Sequence, residues 1–225
     1  MTLPKRRLAP PGAFLNRRTA FLTTLAVTTA LTLTACGNDD TDAQAKGSDE
    51  TTGVEAPTSS APVSDDRPEI ELPGDISYTF DWPKTGDKEK DAVLADSELS
   101  IKAVDQAIVK QNALDKAYLY YYEGEAAAGT QKFVQDYVDH KAAITGSYRL
   151  YAPEVNVRKD GTASLSYCED QGKAFVKYLK TNEIKKTEVT AKSYVIYHTS
   201  LKKNDKGVWV IQKIVSQSGS TKCRP

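Results

Sequence analysis

The chain has 225 residues, thirty of them basic and thirty acidic, with two histidines and three cysteines. A length of this order allows one or two domains. The balanced charge argues against nucleic acid as a partner, because a phosphate backbone demands a dense basic face.

The first 18 residues carry only positive charge, at Lys5, Arg6, Arg7, Arg17 and Arg18. An apolar run with threonines follows from Ala20 to Leu33, and small residues then lead to Cys36. These are the three zones of a secretory signal. The run spans 14 residues, short of the roughly 20 that a transmembrane helix requires, so residues 1–35 are expected to be a removed leader. Its loss takes five basic residues and no acidic one, which leaves the rest mildly acidic.

Leu33-Thr34-Ala35-Cys36-Gly37 resembles the lipobox of bacterial lipoproteins. The resemblance implies cleavage between Ala35 and Cys36 and a diacylglyceryl group on the Cys36 thiol. The chain would then be held by its acyl chains on the extracytoplasmic face of the cell membrane. Each buried methylene contributes about 0.8 kcal/mol, so two chains anchor stably. Asn16-Arg17-Arg18-Thr19-Ala20-Phe21 also resembles a twin-arginine export motif, and general secretion and the twin-arginine route both remain open.

Residues 36–73 are rich in Asp, Glu, Ser, Thr, Pro, Gly and Ala, with Val54, Val63, Ile70 and Leu72 as their only large apolar side chains. Such a stretch is expected to be a disordered acidic tether, about 30 to 35 Å from end to end on average. Its acids make no metal site, because no backbone order fixes their geometry.

The remainder, residues 74–225, is expected to be a single globular domain whose length supports an ordinary core. Ile76, Tyr78, Phe80 and Trp82 alternate with polar residues and share one face of an extended segment ended by Pro83. Thr85-Gly86-Asp87 reads as a turn. Asp96 or Ser97 is expected to cap a helix running to about Tyr122, with Ile101, Val104, Ile108, Leu119 and Tyr122 near one stripe. Gly129-Thr130 interrupts, and a second helix is expected over about Gln131 to Ile144. After Thr145-Gly146 the period becomes two. Strands are expected at about Ser147–Val157, Thr162–Cys168, Ala174–Leu179, Glu188–Leu201 and Val208–Ser216. Lys159-Asp160-Gly161 and Asn204-Asp205-Lys206-Gly207 read as hairpin turns. Helices followed by a meander imply an α+β fold, with N-terminal helices packed on a curved antiparallel sheet.

That element order, from about Asp91 to Cys223, resembles the cone of cystatin or nuclear transport factor 2-like proteins, which implies curled strands enclosing a pocket. Tyr78-Thr79-Phe80-Asp81-Trp82-Pro83, Gly146-Ser147-Tyr148-Arg149 and Tyr167-Cys168-Glu169-Asp170 resemble segments of actinobacterial (Streptomyces-type) lipoproteins. This second resemblance implies location and fold, and no particular activity.

With Cys36 assigned to lipid, Cys168 and Cys223 are the one intramolecular pair left in an oxidising setting, and a disulfide between them is expected. A phosphate loop, a paired-histidine metal motif and a serine elbow are all missing from the sequence, so neither a cofactor nor a metal is expected. His140 is placed at a helix end and His198 in a strand. The candidate pocket or interface residues are Trp82, Tyr118, Tyr121, Tyr148, Tyr167 and Tyr197, with Glu169 and Asp170 near the rim. The run Tyr118 to Tyr122 circles one helical turn, which sets at least one ring at a surface or interface. The leading expectation is a non-enzymatic, lipid-anchored envelope module that binds a small apolar ligand or another envelope protein. Two alternatives stand beside it. One is a small isomerase, dehydratase or hydrolase using an acid and tyrosines in the cone; the other is a structural or assembly partner of an envelope complex.

Overall fold

The computed structural model describes residues 66–225. The expected leader, the cleavage and lipidation positions Ala35 and Cys36, and the tether as far as residue 65 lie outside the described residues. Among those described, β1 (Ile76–Phe80) precedes three helices, α1 (Lys88–Val109), α2 (Lys116–Leu119) and α3 (Gly124–Asp139). Then come β2 (Ala142–Val157), β3 (Thr162–Tyr178), β4 (Glu183–Lys185), β5 (Tyr194–Lys203) and β6 (Trp209–Ser218). They form one sheet in the order β1-β2-β3-β5-β6, with β4 also on β3. All pairs are antiparallel except β1 with β2. A parallel pair needs a crossover, and the three helices supply it. Register shifts between Ser147 and Arg149, between Tyr151 and Glu154, and between Ser200 and Leu201 bend the strands. The helices pack in the resulting curve, so the expected α+β architecture is the observed one.

The helix boundaries differ from expectation for local reasons. Helix α1 begins at Asp87, whose carboxylate accepts from the backbone N–H of Glu89 and Lys90. This is an N-cap, but the all-polar first turn hides it from any apolar period. The helix stops at Val109 because Gln111 turns left-handed at φ 52°. Asn112 N then donates to Ala107 O and Gln111 N to Ile108 O, the bonds of a Schellman cap in which glycine is usual. Lys141 at φ 49° ends α3 in a similar way.

Gly129, expected as an interruption, lies inside α3, and Ile144 belongs to β2. Gly146, which fell between the expected second helix and the strand expected from Ser147, also lies within β2. Its φ is +101°, and a Cβ there would stand 2.1 Å from Lys173 O. The two segments expected at Thr162–Cys168 and Ala174–Leu179 are one strand, β3.

Residues 66–73, assigned by composition to the tether, lie against the domain. Ile70 and Leu72 pack on the core, and Glu71 N donates to Gln106 Oε1 at 2.6 Å. The packed chain therefore begins at least seven residues before the expected boundary at Gly74, at Arg67.

The main core fills the space between helices and sheet. A second apolar cluster of Cys168, Ile196 and Cys223, with Tyr151 and Tyr194 against it, lies apart from it. Cys168 alternates with Tyr167 and Glu169 along β3, so it points to the opposite face of the sheet. Cys168 and Cys223 form a disulfide with Cα atoms 5.4 Å apart, a usual span for such a bridge, and the Tyr151 hydroxyl donates to Cys223 O.

Candidate functional site

The inner face of the sheet collects aromatic side chains from four strands through register. Tyr78 of β1 stands beside Tyr148 of β2, with ring centroids 5.5 Å apart. Tyr167 of β3 stands beside Tyr197 of β5, stacked at 5.1 Å. Phe80 and Trp82 join the two pairs, with centroids at 5.8 Å from Tyr78 to Phe80, 4.9 Å from Phe80 to Trp82 and 5.5 Å from Trp82 to Tyr167. Of the expected pocket residues, Trp82, Tyr148, Tyr167 and Tyr197 thus form one aromatic chain.

Tyr118 and Tyr121 stand apart from that chain, at the end of α2. The Tyr118 hydroxyl donates to Ala113 O at 2.6 Å. Burial pushes its phenol above the usual range, and the nearby Asp115 charge adds to the rise. Burial likewise raises Tyr121, against the pull of Arg67. Both rings are buried with Tyr122, while Tyr120 is half-buried and Leu119 is the exposed side chain of that turn. The expected aromatic surface therefore shrinks to Tyr120, because α2 lasts barely one turn and the run does not continue around a helix.

Polar groups enter this apolar face at three places. Asp105 of α1 is fully buried and accepts from the Tyr78 hydroxyl. Gln171 donates through Nε2 to the Tyr197 hydroxyl at 3.5 Å. Glu169, 0% exposed, lies on β3 with Leu150 of β2 and Val195 of β5 as its register partners. Glu169 is not at a solvated rim as expected, since it shares the inward phase of Leu165, Tyr167 and Gln171. Asp170, one residue on, takes the opposite face, where it accepts from Gly172 N at 2.7 Å.

A cavity of about 20 Å³ lies beneath the tyrosines, lined by Ile101, Val104, Tyr122, Thr130, Phe133, Tyr167, Tyr197 and Ile214. The Thr130 hydroxyl there is buried without a hydrogen-bond partner among the described residues. This space holds about one water molecule, and any larger occupant requires the tyrosine rings to move.

Asp105, Gln171 and Thr130 were not among the candidate pocket residues. Asp105 left a signal, because it falls four residues after Ile101 and three before Ile108, inside the apolar stripe of α1. Gln171 left a weaker one, in phase with Leu165 and Tyr167. His140 caps α3, with Nδ1 2.7 Å from Asp136 O. His198 is exposed on the outer face opposite Ser166. Among the described residues no group of three or more His, Cys, Asp or Glu side chains is placed to hold a metal ion, and no helix is long and apolar enough to cross a membrane.

No family model and no curated protein matches the chain in sequence. Several solved structures are similar to part of it. A ketosteroid isomerase-like protein from Erwinia carotovora atroseptica is 11% identical, with 60% of this chain and 98% of that one covered at a TM-score of 0.42. A nuclear transport factor 2-like superfamily protein from Salmonella enterica is 10% identical over 59% of this chain and 92% of its own, TM-score 0.40. ActVI-ORFA from Streptomyces coelicolor is 9% identical over 57% and 95%, TM-score 0.38. All three are similar to this chain at low identity and over little more than half of its length.

Proposed function

We propose that this is a lipid-anchored, extracytoplasmic binding module of the cell envelope, in which the inner face of the sheet takes a small apolar, partly aromatic ligand and Glu169 recognises its polar end. The observation that carries the reading is the complete burial of Glu169 between Leu150 and Val195, beside Tyr167, Tyr197 and Gln171. A carboxyl group in such a place is costly to bury, and an apolar side chain of similar volume would serve packing at least as well. Set beside Tyr167, Tyr197 and Gln171 on an otherwise apolar face, it gives the polar end of a ligand one place to be recognised.

The test uses the full chain with Cys36→Ala and the neutral fluorophore N-phenyl-1-naphthylamine. Saturable binding is expected, with loss of at least tenfold in Tyr197→Trp, whose larger ring fills the cavity. Absence of binding in the parent chain, or equal binding in Tyr197→Trp, would overturn the reading. The anchor is tested separately with a palmitate analogue, which should label the unaltered chain and leave Cys36→Ala blank.

A second reading is favoured by the same carboxyl. A buried acid on the same sheet face as Tyr167 and Tyr197 suits proton transfer to or from carbon, as in an isomerase or dehydratase. It predicts deuterium uptake into a tetralone, an enolisable aromatic ketone, above the buffer rate, with at least a hundredfold loss in Glu169→Gln. Uptake at the buffer rate in the parent chain leaves the binding reading alone.

A further inference from the structure

We propose that the β3–β4 hairpin and the loop after it, residues 177–189, form a docking surface for an anionic lipid bilayer. Residues 177–189 carry Lys177, Lys180, Lys185 and Lys186 against Glu183 and Glu188, an excess of two positive charges, and Lys173 and Lys192 flank them in a chain whose total is balanced. Lys141 adds a seventh, since its carbonyl accepts from Leu179 N at the base of the hairpin. One of these lysines is partly neutralised, as Lys177 Nζ lies 3.2 Å from Asp75 Oδ2.

Apolar side chains project from the same place. Leu179 is 38% exposed, Ile184 42% and Val189 58%. The remaining large apolar side chains so exposed among the described residues are Leu114 and Leu119, near α2. Leu179 follows the end of β3, Ile184 stands opposite Lys177 in the ladder, and a Cβ on Gly172 would meet Val189 Cγ2 at 3.2 Å, so the loop folds back over β3.

This composition selects a bilayer over a protein partner. Protein interfaces are depleted in lysine and anchored by arginine and aromatic rings, whereas residues 177–189 hold no arginine, and their one aromatic side chain, Tyr178, is half-buried. Lysines flanking exposed aliphatic side chains are what an acidic membrane surface recognises: the ammonium groups stay at the headgroups while the aliphatic groups enter the boundary below. The surface lies at the end of β3 away from the turn at residues 159–161, and the proposal does not depend on a ligand in the cone.

The experiment uses the full chain with Cys36→Ala, so that no acyl chain contributes, and Thr181→Cys labelled with an environment-sensitive nitrobenzoxadiazole dye. Cys168 and Cys223 stay oxidised, so the introduced thiol is the one labelled. A matched Lys159→Cys label reports the far end of β3 and any contribution from the leader. Equimolar phosphatidylglycerol and phosphatidylcholine vesicles should shift the dye at position 181 to the blue, while the dye at 159 stays unchanged and pure phosphatidylcholine elicits at least tenfold weaker partition. Reversing three charges, with Lys180→Glu, Lys185→Glu and Lys186→Glu, should weaken partition by about a hundredfold or more, since each lysine near an anionic leaflet contributes roughly fivefold. The affinity for N-phenyl-1-naphthylamine should not change in that variant, which separates this proposal from the pocket. An equal response at position 159, an equal response on neutral vesicles, or an unaffected charge-reversed chain overturns the proposal. A change of oligomeric state in the charge-reversed chain with no lipid response also overturns it, and makes the hairpin a contact between copies.

Discussion

Arg67 donates through Nη1 to Oδ1 of Asp96 at 2.5 Å, while Oδ2 of the same carboxylate accepts the backbone N–H of Trp209 at 2.8 Å. One carboxylate on α1, 1% exposed, therefore holds both the incoming segment and the first residue of β6. Removing one partner of a buried pair leaves an uncompensated charge. Because the Arg67 side chain is partly exposed, Arg67→Ala is expected to cost about 2 kcal/mol. A chain beginning at Gly74 is expected to lose more, since it also gives up Ile70 and Leu72. Urea unfolding followed by circular dichroism should show a lower midpoint at constant slope in both. An unchanged midpoint would make this contact incidental.

Asp96 also sets a pH dependence of unusual sign. Burial pushes its carboxyl above the usual range, against the pull of the Trp209 N–H and Arg67. Desolvation alone would lower the Arg67 guanidinium, and Asp96 together with Tyr121 more than reverses it. The folded state thus holds the Asp96 proton more tightly than the unfolded chain does. Its contribution is full below the ordinary carboxylate value of about 3.9 and is lost as the pH rises through the raised folded value. Stability of the parent chain minus that of Asp96→Asn should therefore grow as the pH falls from neutral toward about 4. A difference that shrinks with acid, as for an ordinary paired carboxylate, would contradict the assignment.

The Cys168–Cys223 bridge closes a separation of 55 residues, which corresponds to about 4 kcal/mol in the chain-entropy account. Replacing both cysteines by alanine should lower the thermal midpoint by roughly 10 °C, given that 1 kcal/mol moves a domain of this size by about 2 to 4 °C. Since the bridge lies on the face of the sheet opposite the tyrosines, N-phenyl-1-naphthylamine binding below the transition should survive. Loss of binding in the folded variant would show that the two faces are coupled.

Gly146→Ala is expected to be severely destabilising. The added methyl group would meet the Lys173 carbonyl at 2.1 Å, and the backbone holds φ +101°. Neither strand can yield, because β2 is paired with β1 on one side and β3 on the other. A loss of more than about 3 kcal/mol is expected. Gly129→Ala, at a position open for 4 Å around, serves as the control and should leave stability equal or slightly raised.

What the sequence disclosed was mostly local. The alternation of Ile76, Tyr78 and Phe80, the turns at 159–161 and 204–207, and the pairing of Cys168 with Cys223 are properties of neighbours or of elimination. What it concealed depends on partners far along the chain. Asp96 looked like a helix cap because its short acidic side chain suits one, but Arg67 and Trp209 claim it from elsewhere. Gly146 fell outside the expected strand, because its close approach to Lys173 is a tertiary fact. Gln111 and Lys141 end their helices in a conformation usually marked by glycine, so nothing in their identity announces the break. In the site, the tyrosines were visible as residues, while the depth of Glu169 emerged only when β3 proved to be one continuous strand carrying it inward beside Tyr167.

The parallel pairing of β1 with β2 also dictates an order of assembly. Ser77 and Ser147, whose hydroxyls meet at 2.8 Å, are 70 residues apart, and α1, α2 and α3 all lie between their strands. Contacts at such separation are slow to close, since the loop entropy is lost before any pairing rewards it. In a chain that emerges from its N-terminus, the aromatic strand bearing Tyr78 and Phe80 is exposed first and seated only after the helices and β2 are complete. That interval is when this protein is most vulnerable to self-association.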